Sequence, residues 1–271
     1  RQLREKNYYE KYSHQFDVNQ EIDFAPIEGP IFRQERRPWN SYWRTSAIPV
    51  DLYFKNKKDT ELELLDFGCG SGINALRFSR VGYKVTGFDI SETSVKNTIE
   101  LFKKNNTSDM TTFLNCTAEN IPLPDGSFDV IVGIDILHHV DIRKSILEVN
   151  RLLKNDGIAI FREPIEVPFL DWIRGTTLVK FFVPKSTSLE LHITEDERKI
   201  NKAELSQILK VFPQTKIERF MVLSRLDRFI RKDKSNKSSL LEKIDYFIGR
   251  FFPLYSKLGG AAVIIIKKTY E

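Results

Sequence analysis

Residues 62 to 161 alternate short β-branched or leucine-rich runs with longer helical patterns, and no other feature of the chain restricts its fold so strongly. Strands separated by helical segments do not pair as tight hairpins. They form a parallel sheet covered by helices on both faces. The runs are Leu62 to Asp66, Lys84 to Asp89, Thr111 to Asn115, Phe128 to Ile134 and Gly157 to Phe161, each followed by a turn or helix signal. Between the last two, Ile142, Ile146, Val149 and Leu153 recur at intervals of four, three and four, which gives a helix one apolar stripe. Asn155, Asp156 and Gly157 are expected to stop that helix and to start the fifth strand.

The rest of the chain is read around this centre as one domain. Residues 1–58, with Tyr8, Tyr9, Tyr12, Trp39, Tyr42 and Trp43, are expected to form helical packing or a lid, and 59–162 the ligand-binding core. Residues 163–214 read as an insertion capping the sheet's ligand-binding edge, with a helical pattern from Lys202 to Leu209. Residues 215–271 hold a run from Lys216 to Leu223, an amphipathic helix from Leu240 to Phe252 and an apolar strand from Ala261 to Ile266. The Gly259-Gly260 pair could turn that last strand back antiparallel.

Composition narrows the setting. At 271 residues and 41% hydrophobic, the chain can bury a sizeable core, yet its longest apolar runs fall far short of the ~18 to 20 residues that cross a bilayer. Cys69 and Cys116 cannot supply a disulfide framework, so both are expected to be reduced and the protein cytoplasmic. The net charge of +5 traces to Lys216 to Arg250, where ten Lys or Arg face five Asp or Glu. Such a run is most often a solvated face. Arg225, Arg228, Arg231 and Lys232 only partly show the basic and aromatic interleaving of a nucleic-acid surface, which disfavours a nucleic-acid partner.

The strongest chemical signal is Leu65-Asp66-Phe67-Gly68-Cys69-Gly70-Ser71-Gly72, where a strand ends and a helix opens. Glycines at alternate positions permit a tight turn and a close approach of backbone to ligand, and the following helix N-terminus favours an anionic group. Ile73 stands where a dinucleotide fingerprint needs its third glycine, and the Gly-Lys-Ser or Gly-Lys-Thr of a phosphate loop is absent. Asp89 ends the second strand 17 positions beyond Gly72, placed to accept hydrogen bonds from both hydroxyls of a ribose, with Ile90 against the base. Capping the Ser91 to Ser94 segment is the competing role, and the nearby glycine turn favours the ribose.

Four motifs in this order, Leu65 to Gly72, Phe88 to Ser91, Thr117 to Asp129 and Leu137-His138-His139-Val140-Asp141, strongly resemble those of the class I S-adenosylmethionine-dependent methyltransferases, most of all the small-molecule-modifying branch. The resemblance covers roughly residues 60 to 165. It implies an α/β, Rossmann-like, doubly wound sheet of seven strands with the last one antiparallel. It also implies S-adenosyl-L-methionine as cofactor and S-adenosyl-L-homocysteine as product. On this basis Asp66, Gly68, Cys69 and Gly70 take the methionine end, Asp89 and Ile90 the ribose and adenine, and Ala118 and Glu119 the adenine's edge. Ile134 and Asp135, ending the fourth strand, are further cofactor candidates, and Asp135 could also meet the acceptor or cap the next helix. Thr117 stands where many relatives are acidic, and Asn155-Asp156-Gly157 replaces a Pro-Gly-Gly turn.

Methyl transfer from a sulfonium is an in-line displacement that needs no metal, and none is expected: His138 and His139 are adjacent, only His14 and His192 remain, and neither cysteine has a partner at ligand spacing. His138 and His139 follow the fourth strand at the edge where open α/β sheets bind ligands, so either could be a general base, with Glu163 orienting the imidazole. Trp39, Tyr42, Trp43, Trp172, Phe181 and Phe182 suggest a small-molecule acceptor of apolar or lipid-like character. The expected activity is methyl transfer to such an acceptor, more readily on oxygen than on nitrogen or carbon. Two other readings stay open: a methyltransferase of RNA or protein using the basic C-terminal stretch, and a non-catalytic relative that only binds the cofactor.

Overall fold

The computed structural model describes residues 2–20, 22, 37–56, 61–107, 111–168, 198–227 and 239–269. Its centre is a seven-stranded sheet in the order β3-β2-β1-β4-β5-β7-β6. The strands are β1 (Glu63–Phe67), β2 (Lys84–Asp89), β3 (Thr111–Asn115), β4 (Phe128–Ile134), β5 (Leu153–Pro164), β6 (Lys216–Phe220) and β7 (Ala261–Lys267). The first five pair in parallel. The last, β7, runs antiparallel to both β5 and β6. The expected doubly wound sheet with an antiparallel final strand is therefore the observed one. Because β1 lies between β2 and β4, the order reverses beside it and opens a crevice at the strands' carboxyl ends.

Two apolar layers hold the helices. Successive side chains of a strand point to opposite faces, so Leu64, Val130, Val132 and Val263 face one cluster while Leu65, Phe67, Ile131 and Ile264 face the other. The first is covered by Trp43, Ala47 and Val50 of α2 (Ser41–Asn56), Leu76 and Phe78 of α3 (Ile73–Val81), and Leu101 and Phe102 of α4 (Glu92–Lys104). The second is covered by Ile142, Ile146 and Val149 of α5 (Ile142–Leu152) with Leu205 and Ile208 of α6 (Lys202–Val211). Each such side chain, fully withdrawn from water, contributes about 1.5 to 3 kcal/mol before entropy is counted.

Three details depart from the sequence reading. The helix before β5 ends at Leu152, and Asn155-Asp156-Gly157 lies inside the strand. There the pairing with β4 jumps from Phe128↔Leu153 to Val130↔Ile158, and Asp156 adopts a left-handed φ of 63°. The extra residues are accommodated because Lys268 exchanges backbone hydrogen bonds with Asp156 and Gly157, while its ammonium donates to the Asn150 and Leu153 carbonyls that the helix leaves open. Second, β6 and β7 are antiparallel neighbours, yet residues 221–260 intervene, so Gly259-Gly260 leads into β7 without forming a tight hairpin. Third, α6 packs beside α5 in the covering layer. Residues 169–197, the remainder of the expected cap and the location of Trp172, Phe181 and Phe182, lie outside the described residues.

The N-terminal helix α1 (Gln2–Ser13) lies against α4. Ser13 Oγ sits 2.5 Å from Ser94 Oγ, Asn97 donates to the Ser13 carbonyl at 2.8 Å, and Glu10 accepts from the Thr93 hydroxyl. These contacts stretch α1 over the crevice. No helix among the described residues is long and apolar enough to cross a membrane.

Candidate functional site

The glycine turn after β1 is shaped by backbone requirements. Gly68 and Gly70 have φ of 77° and 51°, a region that residues with a Cβ seldom enter. A Cβ on Gly68 would stand 2.8 Å from the Ile136 side chain, whereas one on Gly70 would meet nothing within 4 Å. The first glycine is needed for packing. The second leaves an open cradle beside a cavity of about 880 Å³, within the usual size of ligand sites.

That cavity is lined by Asp66, Gly68, Cys69, Gly70, Asp89, Ile90, Ala118, Glu119, Ile134, Asp135 and His139. Residues from β1, β2, β4 and their following turns are thus brought together, while α1 supplies Glu5, Tyr9 and Ser13 from above. His138 and Glu163, both fully buried, stand behind this wall.

Each carboxylate has a distinct state. Asp89 accepts from the Gly70 amide at 3.0 Å and from the Ser91 amide at 2.9 Å, so it stiffens the glycine turn and also steadies the start of α4. Burial pushes its carboxyl above the ordinary range despite these amides. Asp66 is more extreme: burial raises it from 3.8 to about 7, with the nearby Asp89 charge adding to the shift. Its Oδ2 is buried without a hydrogen-bond partner, although a buried carboxylate oxygen normally has one. A donor-bearing cation in the cavity would complete it. Glu119 instead accepts from the Asp141 amide at 3.0 Å, bracing the start of α5. The Cys69 thiol is driven far upward by burial and stays protonated.

The turn after β4 carries both histidines on a short 3-10 segment, Leu137–His139. Glu163 Oε1 accepts the amides of Ile136 and Leu137 at 2.9 and 2.7 Å, and its Oε2 lies 2.6 Å from His138 Nδ1. This acid therefore pins the turn itself. His139 faces the other way: its Nε2 is 2.9 Å from the Tyr9 hydroxyl and its Nδ1 is 3.1 Å from Glu5 Oε2. Sequence reasoning missed both partners as site residues, since nothing in local spacing links positions 5 and 9 to position 139.

Asp135 closes the rim. It holds a left-handed φ of 56°, pairs with the Arg162 guanidinium, and accepts from the Tyr42 hydroxyl at 3.0 Å. Arg162 also stacks 4.2 Å from the centre of the Tyr42 ring. Burial raises the Tyr42 phenol to about 12, so it remains a donor. Asp135, His138 and Glu163 offer ligand atoms within 4.8 Å of one another. A cation there would have to displace Arg162 and the turn amides, so the arrangement does not favour a metal.

Comparisons with known proteins bear on the family. A family model described as "Methyltransferase domain" matches residues 65–161. An uncharacterised methyltransferase of Bacillus subtilis is 38% identical over 98 residues, covering 36% of this chain and 38% of that protein. The ubiquinone biosynthesis O-methyltransferase of Rickettsia conorii is 26% identical over 212 residues, 75% of this chain and 68% of that one. Among solved structures, magnesium protoporphyrin IX methyltransferase from Synechocystis, with bound S-adenosylhomocysteine, superposes with a TM-score of 0.55 at 13% identity, covering 99% and 100% of the two chains. The last match speaks for the fold alone. With the ordered motifs, the glycine cradle and the sheet order, the match over residues 65–161 supports a class I S-adenosylmethionine-dependent methyltransferase.

Proposed function

We propose that the chain transfers the methyl group of S-adenosyl-L-methionine to a hydroxyl oxygen of a small acceptor with substantial apolar surface. The residues fit the cofactor: Asp66 Oδ2 is a buried oxygen in want of a donor, suited to the ammonium of the methionine end. Gly68 and Gly70 would hold that end by their backbone, Asp89 the ribose, and Ile90 and Ala118 the adenine. When bound, the cofactor supplies an electrophilic methyl on a sulfonium.

The observation that carries the oxygen assignment is His139, on the cavity wall with Tyr9 at one ring nitrogen and Glu5 at the other. A hydroxyl becomes a good nucleophile as its proton leaves, and a positioned imidazole contributes about 10² to 10⁴ in rate. His139 Nε2 takes that proton in this reading, directly or through the Tyr9 hydroxyl. Glu5 then faces the imidazolium from the Nδ1 side. His138 and Glu163 act as positioning residues that fix the turn, which narrows the base to one of the two histidines. The Rickettsia relative, named as an O-methyltransferase, is consistent with this assignment.

A panel of hydroxylated small molecules, assayed for S-adenosylhomocysteine release, tests the reading. A turnover on at least one of them that His139→Ala lowers by about 10²-fold or more, with cofactor affinity retained, is expected. Full turnover in His139→Ala would remove the base from this position. Methylation restricted to RNA or protein would remove the acceptor class.

A further inference from the structure

Helix α7 (Leu240–Phe251) is mounted inside out. The only residue of the helix that is buried is an acid, Asp245. Its carboxylate accepts from the amides of Val222, Leu223 and Ser224 at 2.8 to 3.0 Å, from the Ser224 hydroxyl at 2.8 Å, and from the Tyr255 hydroxyl. The helix is thus fastened to the body by a polar peg. At its first turn, Glu242 closes a capping box with Ser239 and accepts from Asn40 at 3.0 Å.

The opposite side presents hydrocarbon to water. Leu240, Phe247 and Phe251 fall at helical intervals of seven and four on one stripe and are 72%, 64% and 63% exposed. Phe252 and Leu254, at the start of α8 (Pro253–Ser256), are 66% and 74% exposed. Isolated exposed apolar residues are ordinary, but large ones gathered on α7 and the start of α8, with the Phe247 and Phe251 rings 5.3 Å apart, mark an interaction surface. Lys243, Arg250 and Lys257, all exposed, accompany them. Asp245 is buried and the half-buried Glu242 is taken up by Ser239 and Asn40, so the exposed charges of this helix, Lys243 and Arg250, are positive. The sequence leading to its cap, 228–237, adds five Lys or Arg against one Asp.

From this arrangement we infer that α7 and α8 dock the protein on an anionic lipid surface. Aromatic side chains enter the headgroup and acyl boundary while flanking cations meet the lipid phosphates. An acidic rim would suit a basic protein partner, and an uncharged rim a second copy of the chain. Among the described residues, the exposed charges on α7 and just beyond α8, Lys243, Arg250 and Lys257, have the sign that anionic headgroups attract. The inference stands apart from the identity of the methyl acceptor, because none of these side chains lines the cofactor cavity.

Vesicle co-sedimentation of the full chain tests it, using phosphatidylcholine alone against phosphatidylcholine mixed with phosphatidylglycerol. Binding to the mixed vesicles that weakens with salt, and little binding to the neutral ones, is expected. Phe247→Ser with Phe251→Ser, and separately Arg250→Glu with Lys257→Glu, should each lower partitioning at least about tenfold, since one cation near such a surface accounts for about fivefold. All four positions are exposed, so circular dichroism and S-adenosylhomocysteine affinity should match the parent protein. Failure of the parent protein to bind the mixed vesicles overturns the inference. So does unaltered partitioning of both variants, or equilibrium sedimentation showing a dimer that the double phenylalanine variant dissociates while the parent ignores vesicles.

Discussion

The hydroxyl of Tyr9 lies 2.9 Å from Nε2 of His139, joining the N-terminal helix to the turn after the fourth strand. Because that imidazole faces the cavity, the pair forms one proton-handling unit in the proposed reaction. Tyr9→Phe should lower kcat about tenfold or more, as expected for loss of one partner of a general base, with cofactor affinity changed little. Glu5→Gln, which keeps the shape beside Nδ1 and removes the charge, should also lower kcat. Steady-state rates together with calorimetric cofactor affinities check both, and an unchanged kcat in the two variants would exclude α1 from the chemistry.

In the proposed site, Asp66 should give cofactor binding a pH dependence whose sign follows from its burial. Burial lifts its carboxyl from 3.8 to about 7, so below that pH the unliganded protein holds it protonated. A cationic ligand prefers the carboxylate. Affinity for S-adenosylhomocysteine should therefore fall as pH drops through about 7, approaching tenfold per unit, and level off above it. The unliganded fold should show the opposite trend: the folded state keeps a proton that the unfolded chain has lost, so this group is expected to make stability decline between pH 3.8 and about 7. Asp66→Asn should flatten both dependences, as read by calorimetry and thermal melts at several pH values.

Asp89 is already engaged with the Gly70 amide, so its removal acts twice. Asp89→Ala should weaken cofactor affinity by about a hundredfold, the worth of about two hydrogen bonds to a charged group. Gly70→Ala is a cleaner probe of the cradle, because its Cβ would meet no protein atom. A small loss of thermal stability from the φ of 51°, with a larger loss of cofactor affinity, is the expected split. Equal affinity in Gly70→Ala would show that no ligand approaches this backbone.

Asp245 carries the attachment of α7. Asp245→Ala leaves the amides of Val222, Leu223 and Ser224 without their acceptor and should cost about 3 kcal/mol, read from urea unfolding. Substituting exposed Phe247 should cost within about 0.5 kcal/mol, the usual range for a surface site.

The sheet and the crevice beside it were legible because their signals are local. Gly68, Gly70 and Asp89 sit at strand ends where period-two and helical patterns meet, and the sheet order then brings them together. His139 was legible as a candidate for the same reason, but its separation from His138 was not. Two adjacent residues look alike in sequence, and only the fold shows that one turns to Glu163 and the other to Glu5. The turn at Asn155 to Gly157 was misplaced for a related reason: Lys268, far along the chain, supplies the hydrogen bonds that let a bulge form inside β5. The same separation hid the role of Tyr42, whose contact with Asp135 depends on how α2 crosses the sheet.

Glu5 and Tyr9 ride on the same helix that roofs the cavity, so the His139 imidazole keeps both neighbours only while that roof is seated. Were that roof to lift, the imidazole would lose both neighbours in one movement, and the proposed proton acceptor would be left without the groups that flank it.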